Sequence, residues 1–182
     1  MKRSVSLILA LLLALSPAFC AAAEGVPFKT SYYTLTLPDG WIIDTDDLES
    51  GDDYEDLGYF YAPEEIGLLV VAYLEYYEEL KDFSLWNADA SELRDYTQSV
   101  LEDLEEFDPE PVGTVMAGGI PFVVVKGTDA DGDFLYADTM TNGYAIVFEA
   151  YVTDMDGETV YPLTEDDVEQ FNSILASFLP VT

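Results

Sequence analysis

IPFVVVKGTDADGDFLYADTMTNGYAIVFEAYV, residues 120–152, holds three apolar runs set apart by Asp131-Gly132 and Asn142-Gly143. The run before it, residues 112–117, ends at Gly118-Gly119. Such pairs tolerate the positive φ that tight hairpin turns require, and they are strong hairpin signals between apolar runs. The spacing therefore predicts a four-strand antiparallel meander over 112–117, 120–128, 133–140 and 144–152. A strand meander of this length needs cover, and the flanking sequence supplies it.

Upstream, residues 33–37 (YTLTL) alternate apolar and polar and then meet Pro38-Asp39-Gly40, which reads as a strand entering a turn. Residues 41–43 resume extended structure. Residues 44–56 carry a run of like charges and read as a solvated acidic loop, followed by a short strand at 57–62. In residues 67–77 both strand faces are mostly apolar, which predicts a strand covered on both sides. Leu93, Tyr96, Val100, Leu101, Leu104 and Phe107 recur at three- and four-residue steps, predicting a helix over 91–107 with Ser91 as N-cap and Pro109 as its stop. Four acids in its last turns oppose the helix dipole, so the apolar stripe must outweigh them. A second helix opens with Thr164 and Asp167 in capping-box spacing and presents Val168, Phe171, Ile174, Leu175 and Phe178 on one face. The expected fold is α+β: an antiparallel sheet of about six to seven strands layered with two main helices, as an α/β/α sandwich.

The N-terminus predicts export. Lys2 and Arg3 precede an apolar run over 5–19, and Cys20-Ala21-Ala22-Ala23 offers small residues for cleavage after Ala23. This is the pattern of a secretory signal peptide over residues 1–23, leaving one domain over 24–182 with no membrane span of its own. The alternatives are an uncleaved anchor and lipid modification at Cys20, which the bulky Phe19 disfavours. Cleavage removes the one cysteine, so disulfides and thiolate chemistry leave with it. The whole chain carries 37 acidic and six basic residues, a formal charge of −31. No basic stripe exists to meet phosphate, which excludes nucleic acid and anionic membrane surfaces as partners. Cations, basic proteins and neutral envelope polymers fit better. The 13 tyrosines argue against disorder despite the charge.

The order of elements resembles the PsbP-like superfamily, the Mog/PsbP type that includes many exported bacterial proteins. Tyr33, Leu35, Leu37, Pro38, Gly40 and Trp41 carry the likeness at the start, and Phe171, Ile174, Leu175, Ser177 and Phe178 carry it at the end. The resemblance spans nearly the whole of 24–182. It implies a binding or assembly scaffold and no enzyme activity. One departure matters: the plant subunit docks through basic and histidine side chains. This chain has no histidine, so that surface maps to no position here.

Familiar catalytic constellations are closed. Without histidine or a retained cysteine, neither a Ser-His-Asp nor a Cys-His arrangement can form, and imidazole or thiolate zinc sites are absent. No phosphate-cradling glycine motif is present. A carboxylate-based hydrolase needs only two acids, a requirement so easily met among 37 that it carries no specificity. Asp129, Asp131 and Asp133 lie at alternate positions and raise the question of calcium. Counted as an EF-hand loop they place Gly132 at position 4, Phe134 at 6 and Met140 at 12, so the bend and the closing acid both fail. The hairpin turn is the simpler reading. A looser, weak extracellular Ca²⁺ site on the same three aspartates is the alternative, and the Asp154-Met155-Asp156-Gly157-Glu158 run repeats the theme. Tyr73, Tyr76 and Tyr77, interleaved with Glu75 and Glu78, form the candidate partner-binding surface, because tyrosine offers an apolar body and a polar tip. No cofactor is expected otherwise.

Overall fold

The structure, a computed structural model, describes residues 25–154, 157 and 159–181. The expected signal segment, Asp156 and Glu158 lie outside the described residues. In chain order come β1 (Val26–Lys29), β2 (Tyr33–Leu37), β3 (Ile42–Asp44), β4 (Tyr54–Tyr61) and β5 (Ile66–Tyr76). A crossover follows with 3₁₀ turns at Glu78–Leu80 and Leu85–Asn87, helix α1 (Ala90–Asp103) and a 3₁₀ turn at Glu105–Phe107. The meander is β6 (Glu110–Ala117), β7 (Ile120–Thr128), β8 (Asp133–Thr141) and β9 (Tyr144–Asp154). Then come β10 (Val160–Tyr161), α2 (Glu165–Ala176) and β11 (Leu179–Pro180).

The main sheet runs β3-β4-β5-β9-β8-β7-β6, all antiparallel, and β10 joins β9 beyond the point where β8 begins. Two of its hairpins are the two-residue turns that the glycine and asparagine pairs predict. Ala117 faces Ile120 across Gly118 and Gly119, and Thr141 faces Tyr144 across Asn142 and Gly143. All four turn residues have positive φ, between 51° and 97°, as the twist of the flanking strands demands. The β7–β8 connection differs: Thr128 pairs with Asp133, so Asp129 to Gly132 make a four-residue loop. β2 does not join this sheet. It pairs with β1 and β11 in a separate three-stranded sheet that brings the two ends of the described chain together.

Strand alternation gives the main sheet two faces of different character. On the first, Leu68, Val70, Ala72 and Leu74 of β5 align with Ile146, Phe148, Ala150 and Val152 of β9. Phe171, Ile174 and Leu175 of α2, with Phe178 just beyond it, and Tyr33, Leu35 and Leu37 of β2 close over them. Phe148 sits within 5.6 Å of the Tyr33 ring and 5.9 Å of Phe122, tilted as aromatic quadrupoles prefer. Ser177 clips α2 to β2: its hydroxyl accepts from the Thr36 N–H at 2.9 Å and lies 3.1 Å from the Thr36 carbonyl oxygen.

The second face is covered by the crossover, and only in part. Leu93, Tyr96, Val100 and Leu101 of α1, with Leu104 at its C-cap, lie over Val123 and Val125 of β7 and Tyr136 of β8. Val100 is the one α1 side chain that is fully buried. Leu69 and Val71 of β5 are half-buried, so the expected two-sided burial holds fully on one side only. α1 also starts and stops elsewhere than its sequence predicts. Asp89, not Ser91, is the N-cap: its carboxylate accepts from the Ser91 and Glu92 N–H groups at 2.7 and 3.0 Å, and Glu92 reciprocates. A carboxylate at a helix N-terminus adds a favourable dipole term that serine lacks. The α-helical part ends at Asp103, before the acids that oppose the dipole can all be housed in it.

Two further expectations change. β4 begins at Tyr54, so the tail of the expected acidic loop is a strand and Asp56 is buried in it. The second helix matches its signature, with the Thr164–Asp167 capping box formed in both directions. Among the described residues no helix is long and apolar enough to cross a membrane. Because Phe148 is fully buried at the centre of the first face, Phe148→Ala is expected to lower unfolding stability by about 3–5 kcal/mol. Urea denaturation followed by tyrosine and tryptophan fluorescence measures it.

Candidate functional site

The second sheet face carries tyrosines and carboxylates where the first carries aliphatic and phenyl side chains. β5 contributes Tyr73 and Glu75, β8 contributes Tyr136 and Asp138, and β9 contributes Glu149 and Tyr151, all by alternation from their apolar neighbours. α1 crosses above without filling the space. Between them lies a cavity of about 550 Å³. Its floor is formed by Tyr73, Asp138 and Met140, all buried, and its rim by Glu79, Ser99 and Asp103, all exposed.

Each carboxylate inside this region is met by a phenol. Tyr73 donates to Glu149 Oε1 at 2.7 Å and Tyr151 donates to Glu149 Oε2 at 3.0 Å. Tyr77 donates to Glu75 Oε2 at 2.5 Å. Tyr96 of α1 donates to Asp138 Oδ2, a bond that ties the helix to the sheet, and stacks on Phe83 with ring centroids 5.6 Å apart. Asp138 Oδ1 is different: it is buried without a hydrogen-bond partner. The Tyr136 hydroxyl lies near enough to favour the charged carboxylate, but not in hydrogen-bonding geometry.

The electrostatic result is an acid held well above its usual range. Burial pushes the Asp138 carboxyl up, the Tyr96 hydroxyl pulls it partly back, and the charges of Glu75 and Asp103 raise it again, to about 7. The same burial, with the adjacent carboxylates, drives the Tyr73 and Tyr96 phenols up, so they stay protonated as donors. Asp56 of β4 shows the opposite balance on the same face. Burial opposes its charge, but the Tyr54 hydroxyl, the Glu49 N–H and the Tyr59 hydroxyl together hold it below the ordinary range. Three donors outweigh burial at Asp56, whereas burial and the neighbouring carboxylates outweigh the phenols at Asp138.

Of the three tyrosines the sequence singles out, Tyr73 and Tyr77 line this cavity and Tyr76 does not. Period-two alternation sends Tyr76 to the other side, where it packs on Tyr144 at 4.8 Å and donates to Glu78. Glu78 itself pairs with Lys81 at 2.6 Å on the surface. The aspartates of the β7–β8 loop stabilise the hairpin. Asp129 Oδ1 accepts from the Asp131 and Gly132 N–H groups at 2.8 and 2.9 Å. Asp133 pairs with Lys126 at 2.7 Å and accepts from the Thr128 hydroxyl at 2.9 Å. The Asp129 and Asp133 carboxylates are thus engaged separately, and among the described residues no three acidic side chains gather into a metal-holding group. Asp138, the most perturbed of the acids, was not among the expected site residues. The available signal was a lone acid at an interior strand position, opposite Val123 and Val147. A second cavity of about 270 Å³, near Ile42, Ala62 and Leu68, contains no buried carboxylate.

No family model and no curated protein matches the chain. Solved structures similar to it include the solution structure of cyanobacterial PsbP (CyanoP) from Synechocystis sp. PCC 6803. That likeness has 14% identity and a TM-score of 0.43, and covers 91% of this chain and 98% of that one. A crystal structure from Bacteroides thetaiotaomicron VPI-5482 is similar at 13% identity with a TM-score of 0.45. It covers 87% of this chain, which spans about half (49%) of that protein. At these identities the likeness concerns the course of the chain alone.

An acid raised by folding weakens the fold as it ionises. The folded state holds its proton to about pH 7, whereas the unfolded chain releases it near the ordinary value of about 4. Stability from this group is full below about pH 4 and is lost as pH rises to about 7. Asp138→Asn is therefore expected to melt higher than the parent at about pH 8, with the gap closing toward about pH 4. Paired thermal melts across that range check it, and a gap independent of pH would show that the acid is not raised.

Proposed function

We propose that the protein is an exported, non-catalytic binding module, and that the tyrosine–carboxylate cavity under α1 is the surface it offers a partner. The observation that carries this reading is Asp138, buried on the cavity floor with one oxygen unpartnered. A buried carboxylate oxygen without a donor costs the fold energy, so its retention favours a donor brought by something else. The rim favours the same reading: Glu79, Ser99 and Asp103 are exposed at the edge of a helix with a single fully buried side chain. Export is supported by the N-terminal sequence, with its basic start, apolar run and small residues before Glu24. A non-catalytic role is supported by the lack of histidine, and of cysteine after position 20, which denies the chain its usual nucleophile–base pairs. Strong negative charge directs the module toward an envelope component or protein with basic groups and away from nucleic acid.

Site-specific crosslinking tests this. A photoreactive side chain at Ser99, on the rim, is expected to give a discrete adduct in the native host. The same group at Ser173, exposed on α2, is not. Monomer alone from both positions, or equal adducts from both, would remove the cavity as the docking face.

A further inference from the structure

We infer that the cavity beneath α1 takes a protonated alkyl amine, from a lysine side chain of a partner protein or a free aliphatic polyamine, with the free oxygen of Asp138 as its buried acceptor. The inference rests on the binding role proposed above and names the chemistry of the ligand. Four observations converge on it.

The acceptor is present: Asp138 is 2% exposed, and no group of the described residues donates to its Oδ1. The cations of the described residues are placed elsewhere: Lys81, Arg94 and Lys126 pair with Glu78, Asp95 and Asp133, and Lys29 is exposed on β1 of the small sheet. The lining suits the ligand: Tyr73, Tyr77, Tyr96 and Tyr136 border the cavity, and aromatic rings suit both a methylene stem and a charged ammonium head. Glu79 and Asp103 at the rim attract a cation from solution.

Geometry then separates the cations. Among the described residues no three carboxylates form a metal-holding group. A guanidinium is a planar fork that prefers both oxygens of one carboxylate. Tyr96 already donates to Asp138 Oδ2 and crowds that side of the carboxylate, so Oδ1 is the floor oxygen left without a donor. One acceptor suits an ammonium, a point charge with freely directed donors.

The test is isothermal titration at about pH 8, where Asp138 is ionised. The probes are cadaverine and the Nα-acetyl methylamides of lysine, arginine and norleucine. Saturable binding of cadaverine or the lysine probe, with none for norleucine, is the expected result, and which amine binds more tightly identifies the source. Asp138→Asn is expected to weaken binding at least tenfold, while Glu169→Gln on the far side of the molecule leaves it unchanged. Tyr96→Phe gives a second reading: by freeing Oδ2 it is expected to shift preference from the lysine probe toward the arginine probe.

Affinity is also expected to fall between about pH 8 and about pH 5.5 as Asp138 takes up its proton. The titratable groups facing it are Tyr73 and Glu75 from β5, Tyr77 and Glu79 from the turn after it, and Tyr136 beside it on β8. Glu149 of β9 and Tyr96 and Asp103 of α1 complete the set. No saturation by either amine, parental affinity in Asp138→Asn, or tighter binding of the arginine probe by the parent would each overturn the assignment. Should Asp138→Asn fail to fold, the Tyr96→Phe preference decides alone, and an unchanged preference overturns it. A Ser99 adduct without amine binding removes the ligand class but leaves the docking face; loss of both removes the face as well.

Discussion

A carboxylate that leaves water in this protein has few cations to meet. With 37 acids against six bases, ion pairing cannot neutralise the buried acids, and the ion pairs among the described residues lie at or near the surface. Phenol hydroxyls take that role instead. Asp56 accepts from Tyr54 and Tyr59, Glu149 from Tyr73 and Tyr151, Glu75 from Tyr77, and Asp138 from Tyr96. A hydrogen bond to an ionised acceptor is worth roughly 1.5–3 kcal/mol, enough to offset much of a partial desolvation. Tyrosine adds ring area that lysine would not, so the same side chains satisfy the acids and build the walls around them.

This arrangement divides the labour between the sheet faces. The first face has the density of an ordinary core: phenyl and aliphatic side chains from β5, β7, β8 and β9 meet α2 and the small sheet, and both ends of the described chain are fastened there. Its stability allows the second face to be incomplete. There α1 rests on few buried contacts and one phenol–carboxylate bond, the conditions under which a segment opens at lower free energy than the whole domain. A helix of that kind can admit a ligand side chain beneath it without disturbing the opposite core.

Much of the fold was readable because the signals are local. Gly118-Gly119 and Asn142-Gly143 specify turns through backbone sterics, and Thr164 with Asp167 specifies a helix start through hydrogen bonds three residues apart. Where two local solutions compete, the reading was less secure. Ser91 and Asp89 both suit an N-cap, and the carboxylate prevails by its charge. The β7–β8 aspartates matched the spacing of a calcium loop only in outline. Asp129 turns inward on its own backbone and Asp133 pairs with Lys126, each engaged within a few residues.

The sequence by itself determined the alternation of strands and turns, the amphipathic faces of both helices, and the excess of acid over base. All of these depend on neighbours within a few residues or on composition. Tertiary structure alone decided that Tyr76 leaves the company of Tyr73 and Tyr77, and that β2 departs to a second sheet. It alone buried Asp138 beneath a helix 42 residues earlier in the chain. Those outcomes depend on strand register and on which face the crossover covers, and both are set by long-range packing that the spacing of residues along the chain does not encode.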